Sequence, residues 1–310
     1  MIAAIDIGGT KIATGLVDQT GCIHTHREAP TELLADPEQG IAAIIHMIRD
    51  MLGKTSARLD GIGVGCTGPV YPLSGTVGQV EFLPAWEGFD LITPLKDEFG
   101  VPAALENDAD AAALGEWVWG AGQGAGIFLL VTVGTGIGAG LVLNGKLYRG
   151  VDGAHPEIGH MVIDPGSARV NPGGPQCSCG AYGCWESLAS GLSMARQAQA
   201  VHPQGVYRAA ADLCAAALAG DELARRAVEQ TAHFLGLGLA NLVTLFTPDV
   251  IALGGGLMQS LAQFRPGIDA MIGRMCGLVP KEKVRIVPAR FGSRAGLVGA
   301  AQVGLRAIIS

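Results

Sequence analysis

IAAIDIGGTKIATGLV, residues 2–17, decides the fold, because it reads as a strand, a tight glycine turn and a second strand. Ile2 to Ile7 is apolar and partly β-branched, Gly8 and Gly9 interrupt it, and Lys11 to Val17 resumes the pattern. The theme returns in IFLLVTVGTGIGAGLVL, residues 127–143. There a strand over Ile127–Val133 meets the turn Gly134-Thr-Gly-Ile-Gly138, and a return strand over 139–143 ends at the hairpin signal Asn144-Gly145. Two such units about 125 residues apart, at positions 8 and 134, point to an internal duplication.

Outward from these anchors, strands and helices alternate. Residues 22–29 suit a third strand. A helix follows, capped by Asp36, opened by Pro37, and apolar along Ile41, Ile44, Ile45 and Ile48. Strands are expected over 59–64 and 101–105, a helix over 90–99 closed by Gly100, and an alanine-rich helix over 108–119. Later, 222–246 is a long helical pattern stopped before Pro248, and the strand 250–253 runs into Gly254-Gly255-Gly256. This is an α/β chain with a sheet in each half, and a ligand is expected in a cleft between the two domains.

Composition bounds the function. The chain has 310 residues, 49% hydrophobic and 16% charged, enough for a large core and two domains. A net charge of -7 without a basic run argues against a nucleic-acid surface. No basic segment precedes an apolar stretch at the N-terminus, and no apolar run approaches the roughly 20 residues of a membrane span. A cytoplasmic protein with a small-molecule partner is expected. Its seven cysteines are then reduced or metal-bound rather than disulfide-paired.

Three glycine turns offer backbone N–H groups to a phosphate, since glycine lets the backbone approach closely. Asp6, Gly8, Gly9, Thr10 and Lys11 add a carboxylate suited to magnesium, a hydroxyl and a cation. Gly134, Thr135 and Gly136 make a second clamp, and Gly254, Gly255 and Gly256 a third. None is a Walker A or dinucleotide fingerprint. Each alone also reads as an ordinary turn needing positive φ; the three together read better as a nucleotide site. Glu106-Asn107-Asp108 ends a buried strand where a helix begins. Asp108 there suits a base that takes a proton from a hydroxyl attacking a γ-phosphate, although Asn107 or Asp108 would also serve simply as a helix cap.

The most specific local signal is Cys177-Ser-Cys179-Gly-Ala-Tyr-Gly-Cys184, three thiols within eight residues with Gly180 and Gly183 permitting tight turns. With an upstream histidine this makes a closed, structural Cys3His zinc set; clustered free thiols are the competing reading. Cys22, Cys66, Cys214 and Cys276 read as small core residues. His24, His26, His46, His155, His202 and His233 form no comparable cluster.

These motifs, with Glu157-Ile-Gly-His160 and Glu186 in Trp185-Glu-Ser-Leu-Ala-Ser-Gly191, resemble the ROK family of repressors, open reading frames and kinases, within the actin-like ATPase superfamily. The resemblance spans nearly the whole chain. It implies two ribonuclease-H-like α/β domains with an interdomain cleft: residues 1–112 plus 294–310, the C-terminal helix returning to the smaller domain, and residues 113–293 with the zinc-binding loop. It implies ATP phosphates between Gly8–Lys11 and Gly134–Gly136, with the nucleoside near Gly254–Gly256. Asp108 is then the base. Gly68, Asn107, Asp108, Glu157, His160 and Glu186 hold the sugar, and His160 binds zinc through its other ring nitrogen together with Cys177, Cys179 and Cys184.

The expected activity is ATP- and magnesium-dependent phosphorylation of a hexose by a homodimer or homotetramer. Thr67-Gly-Pro-Val70 and Leu83-Pro-Ala-Trp86 resemble bacterial glucokinases, and Pro69 stands where N-acetylmannosamine kinases can carry Arg. His155-Pro156 replaces the usual Ala-Gly and is similar to some fructokinases, and Asp110 replaces a common Asn. Fructose, mannose, allose and N-acetylmannosamine therefore stand as alternatives to glucose. A transcriptional regulator is the alternative of another class, disfavoured because the phosphate turn begins at Asp6, leaving no room for a DNA-binding domain before it; a non-catalytic sugar-sensing protein is a further one, disfavoured by the presence of Asp6, Lys11 and Asp108.

Overall fold

The computed structural model describes residues 1–80, 83–164, 176–201 and 207–309. His202 lies outside them. Contacts divide the chain into two compact units: residues 1–125, 140–156 and 290–310 form unit 1, and residues 126–139 and 157–289 form unit 2.

Unit 1 is built on the quoted stretch. Strands β1 (Ile2–Ile7) and β2 (Lys11–Val17) pair antiparallel, with Ile7 opposite Ile12 across the glycine turn. The sheet order is β3-β2-β1-β4-β7, where β3 is Ile23–Pro30, β4 is Gly61–Cys66 and β7 is Ala103–Asn107. The parallel pairs β1–β4 and β4–β7 bring the C-terminal ends of three strands to one edge, the place where α/β sheets present ligand-binding loops. Two short strands, β5 (Val70–Tyr71) and β6 (Thr76–Val77), pair after β4.

One face of this sheet buries Ile5, Ile7 and Val64 with Ile44, Ile48 and Met51 of helix α1 (Pro37–Leu52) and with Trp86. Asp36 caps α1 as expected, accepting from the Gln39 N–H. Helix α2 (Thr93–Phe99) starts later than the pattern suggested, because the Asp90 carboxylate accepts from the Ile92 and Thr93 N–H groups and holds the preceding turn outside the helix. The other face buries Ile2, Ala4, Ala13 and Val17 under the C-terminal helix α9 (Ala295–Ile309), through Leu297, Ala300 and Ala301. That helix lies almost on the backbone: a Cβ on Gly63 would fall 1.8 Å from the Ala300 carbonyl oxygen.

In unit 2, strands β8 (Ile127–Val133), β11 (Val250–Gly254) and β12 (Arg285–Pro288) run parallel. Strand β9 (Ile137–Leu143) begins in unit 2 and ends in unit 1, where it pairs with β10 (Lys146–Leu147). It starts two residues before the expected boundary because the turn closes early, through the Gly134 N–H to the Gly136 carbonyl at 2.9 Å. The same kind of closure, Gly8 N–H to Lys11 carbonyl at 3.0 Å, shapes the turn of unit 1.

Helix α3 (Asp108–Trp119) belongs to unit 1. Helices α4 (Trp185–Ala189), α5 (Gly191–Val201), α6 (Ala210–Leu218), α7 (Glu222–Phe246) and α8 (Leu261–Met275) belong to unit 2. One face of the apolar stretch of α7 is buried within unit 2: Leu235, Leu239, Leu242 and Val243 are all nearly inaccessible and Gly238 lies under the Trp185 ring, while Leu245 is exposed. No helix among the described residues is long and apolar enough to cross a membrane.

Candidate functional site

In unit 1 the turn after β1 stands open, with Gly9, Thr10 and Lys11 exposed. It is pinned from behind by Thr31, whose hydroxyl donates to the Gly8 carbonyl at 2.8 Å and whose N–H donates to the Thr10 carbonyl at 3.1 Å. The Lys11 ammonium pairs with Glu28 at 2.5 Å. Asp6, the penultimate residue of β1, lies against the start of α9, where Gly296 is required because a Cβ there would sit 2.1 Å from Asp6 Oδ2. A 340 Å³ cavity is lined by Asp6, Lys11, His26, Glu28, Ser293 and Arg294. Burial, then the neighbouring charge of Asp108, push the Asp6 carboxyl up to about 7; Lys11 pulls the other way and Glu28 adds to the rise. A carboxylate such as Asp6, beside the negative charge of Asp108, is of the donor type suited to a hard divalent cation such as magnesium.

Strand β7 delivers Asn107 and Asp108 to the start of α3. The cap is Asn107, whose Oδ1 accepts from the N–H groups of Ala109 at 2.9 Å and Asp110 at 3.2 Å. Asp108 accepts from the Ala109 N–H at 2.8 Å and stays half-buried. Gly68 follows β4 with φ of 132°, and a Cβ there would meet Val80 at 2.8 Å.

Beside this turn stands a charged group that motif reading did not assemble. Arg149 pairs with Glu106 through Nη2 and with Asp110 at 2.6 Å through Nη1, and His155 Nδ1 meets the same Asp110 oxygen at 2.6 Å. Burial pushes the Glu106 carboxyl above its usual value; Arg149 opposes this and Asp110 reinforces it. In the sequence Glu106 stood only as part of the Glu106-Asn107-Asp108 motif, and Asp110 and His155 only as departures from the family pattern; Arg149 carried no signal.

In unit 2 the second and third glycine turns meet. A 760 Å³ pocket is lined by Gly134, Thr135, Gly256, Arg208, Leu257 and Gln263, among others. Gly255 has φ of 87° and lies on the β8 backbone, where a Cβ would be 2.4 Å from the Val133 carbonyl oxygen. Glu186 sits beneath the second turn: it accepts from the Ile137 N–H at 2.9 Å, and a Cβ on Gly136 would lie 2.3 Å from its carboxylate. Gly159 packs on the same residue, since its Cβ would fall 2.0 Å from the Ile137 carbonyl oxygen. The Glu157-Ile-Gly-His160 segment is thereby fastened beside the turn, with Glu157 itself exposed.

His160, Cys177, Cys179 and Cys184 place one ligand atom each within 4.8 Å of the others. His160 Nδ1 lies 3.2 Å from Cys177 Sγ, and Cys179 Sγ lies 3.6 Å from Cys184 Sγ. Zinc–ligand bonds of 2.0–2.3 Å put neighbouring donors of a tetrahedron roughly 3.3–3.8 Å apart, so one nitrogen and three sulfurs at this spacing fit zinc. Gly180 and Gly183 take φ of 87° and 76°, as the thiol loop requires.

One expectation is corrected. Cys22 is not a core residue but is exposed in the β2–β3 hairpin, because Asp18 accepts from its N–H and fixes the turn at the surface. With Asp18 and His24 it forms a small group of possible ligands that the sequence reading did not single out. Cys66, Cys214 and Cys276 are buried as expected.

The ROK family profile matches residues 2–306. The glucokinase of Streptomyces coelicolor is 33% identical over 317 aligned residues, covering 96% of this chain and 96% of that protein. The ROK hexokinase of Thermus thermophilus is 34% identical with a TM-score of 0.85, covering 99% of both chains. A ROK family glucokinase of Streptomyces griseus, solved with glucose and AMPPNP, is 31% identical with a TM-score of 0.79 over 98% of this chain and 99% of that one.

Proposed function

This chain belongs to the ROK family, and on that premise we propose that it transfers the γ-phosphoryl group of ATP to a hexose, forming glucose 6-phosphate from glucose. The observation that carries the reading is the 760 Å³ pocket joining Gly134 and Thr135 to Gly256. Apolar walls from Leu257 and Ala210 suit a nucleoside, and the N–H groups of the turn suit its phosphates. Gly8, Gly9, Thr10 and Lys11 are assigned to phosphate as well. Glucose comes first because the relatives above include glucokinases.

Asp108 accepts the proton of the sugar hydroxyl while that oxygen bonds to the γ-phosphorus and the bond to the β,γ-bridging oxygen breaks, releasing ADP. Sugar recognition is assigned to Gly68, Asn107 and Asp108, and likewise to Glu157, His160 and Glu186. Magnesium bound with ATP supplies neutralisation of the phosphate oxygens, and Asp6 is the residue that would hold it. A structural zinc on His160, Cys177, Cys179 and Cys184 would fix the orientation of the His160 ring.

A coupled ADP-release assay with ATP, magnesium and glucose, fructose, mannose, allose or N-acetylmannosamine tests the proposal. Turnover is expected with glucose at the highest kcat/KM. Faster turnover of another hexose would sink the choice of glucose. Sugar binding without ADP release from any of them would sink the kinase reading and favour a sensing role.

A further inference from the structure

One arginine grips both sides of the turn that carries the base. Glu106 precedes the Asn107 cap and Asp110 stands in the first turn of α3, so their carboxylates bracket Asn107, Asp108 and Ala109 in the chain. Arg149 Nη2 pairs with Glu106 Oε2 and Nη1 donates to Asp110 Oδ2 at 2.6 Å, while Glu106 Oε1 accepts from the Asn107 N–H at 2.8 Å. His155, with the proton on Nδ1, donates to the same Asp110 Oδ2 at 2.6 Å. Asp110 is wholly buried, and its Oδ1 has no hydrogen-bond partner among the described residues.

Stability is a poor reason for such a group. Burying two carboxylates against one guanidinium carries a desolvation penalty that the Coulombic gain often fails to offset, and apolar replacements of similar volume are frequently neutral or stabilising. A planar fork held at two points, in contrast, sets position and orientation. What lies between the two gripped carboxylates is the Asn107–Asp108 turn. His155 is also the penultimate residue of the 140–156 segment of unit 1, two residues before Glu157.

We propose that Arg149 and His155 are positioning residues for phosphoryl transfer: by holding Glu106 and Asp110 they fix the backbone turn that presents Asn107 and Asp108 to the sugar. This rests on the kinase reading above. Both act through Asp110, and Arg149 also through Glu106. Catalysis depends steeply on the placement of the base, so a small shift of the turn registers in turnover before it registers in nucleotide affinity.

The test is steady-state kinetics with sugar and ATP varied separately, normalised to folded protein, beside thermal midpoints, for His155→Ala, His155→Asn and Arg149→Lys. His155→Ala is expected to lower kcat/KM for sugar roughly 10-fold, and Arg149→Lys, which keeps the charge but loses the fork, roughly 10- to 100-fold. KM for ATP is expected to stay within about twofold of wild type, since the turn and not the nucleotide pocket is disturbed. His155→Asn, whose side-chain N–H occupies the place of the imidazole Nδ1–H that meets Asp110, is expected to recover most of the loss whatever its thermal midpoint. Unchanged kcat/KM with only a lower midpoint would overturn the proposal and leave a structural ion-pair group. If wild type transfers no phosphoryl group, the kinase reading fails by itself. Calorimetric sugar titration of the same variants then decides: weakened binding in His155→Ala with recovery in His155→Asn supports positioning, and equal binding overturns it.

Discussion

Asp6 offers a prediction whose size follows from its surroundings. Its carboxyl is pushed from an ordinary 3.8 up to about 7, chiefly by burial and then by Asp108. The folded chain therefore holds a proton that the unfolded chain has released, throughout the interval between those values. In that interval stability falls as pH rises, by about 1.4 kcal/mol per pH unit at most. Between pH 5.5 and 7 this group alone is expected to cost about 2 kcal/mol, with little further change above. Magnesium competes with the proton, so its apparent affinity should climb over the same range and flatten above pH 7. The assay is thermal unfolding of metal-free protein from pH 5.5 to 8, repeated with magnesium and with Asp6→Asn. Wild type should lose stability with rising pH, magnesium should restore it, and Asp6→Asn should lack both this component and the magnesium response. An identical pH slope in Asp6→Asn would refute the reasoning, because the titrating group would then lie elsewhere.

Asp108→Asn should keep sugar affinity by calorimetry while kcat falls by roughly 10²–10⁴-fold, as loss of a general base requires; turnover near wild type would remove Asp108 from that role. Cys179→Ala should release zinc, measured by elemental analysis of purified protein, and lower the thermal midpoint and sugar affinity together. Wild-type protein purified without chelator and holding far less than one zinc per chain would contradict the site. Gly63→Ala forces a methyl group into the Ala300 carbonyl, 1.8 Å away, and should lower stability by about 3 kcal/mol, read as a drop in the midpoint of unit 1. A midpoint equal to wild type would mean that α9 shifts without cost.

The elements legible in the sequence are those whose cause is local. The run Ile2–Ile7, two glycines and Lys11–Val17 permits little but strand, turn and strand, and Asp36 and Asn107 announce helix starts by capping chemistry alone. The thiol cluster was legible for the same reason, since three of its four candidate ligands lie within eight residues. Helix α8 was harder to read, with Pro266 standing in its second turn. Cys22 looked apolar enough for the core, yet the hydrogen bonding of Asp18 turns it out to solvent.

The sequence by itself determined the α/β class, the duplicated glycine turns, the thiol loop and the strand end bearing Asn107 and Asp108. Each depends on residues close in the chain, where backbone geometry leaves few choices. Only the tertiary structure decided that Glu186 lies under Gly136 and that the second and third glycine turns share one pocket. It also decided that Arg149, 39 residues beyond Asp110, joins that carboxylate to Glu106. Such pairings are set by how helices and strands pack once buried, and spacing along the chain carries no record of them.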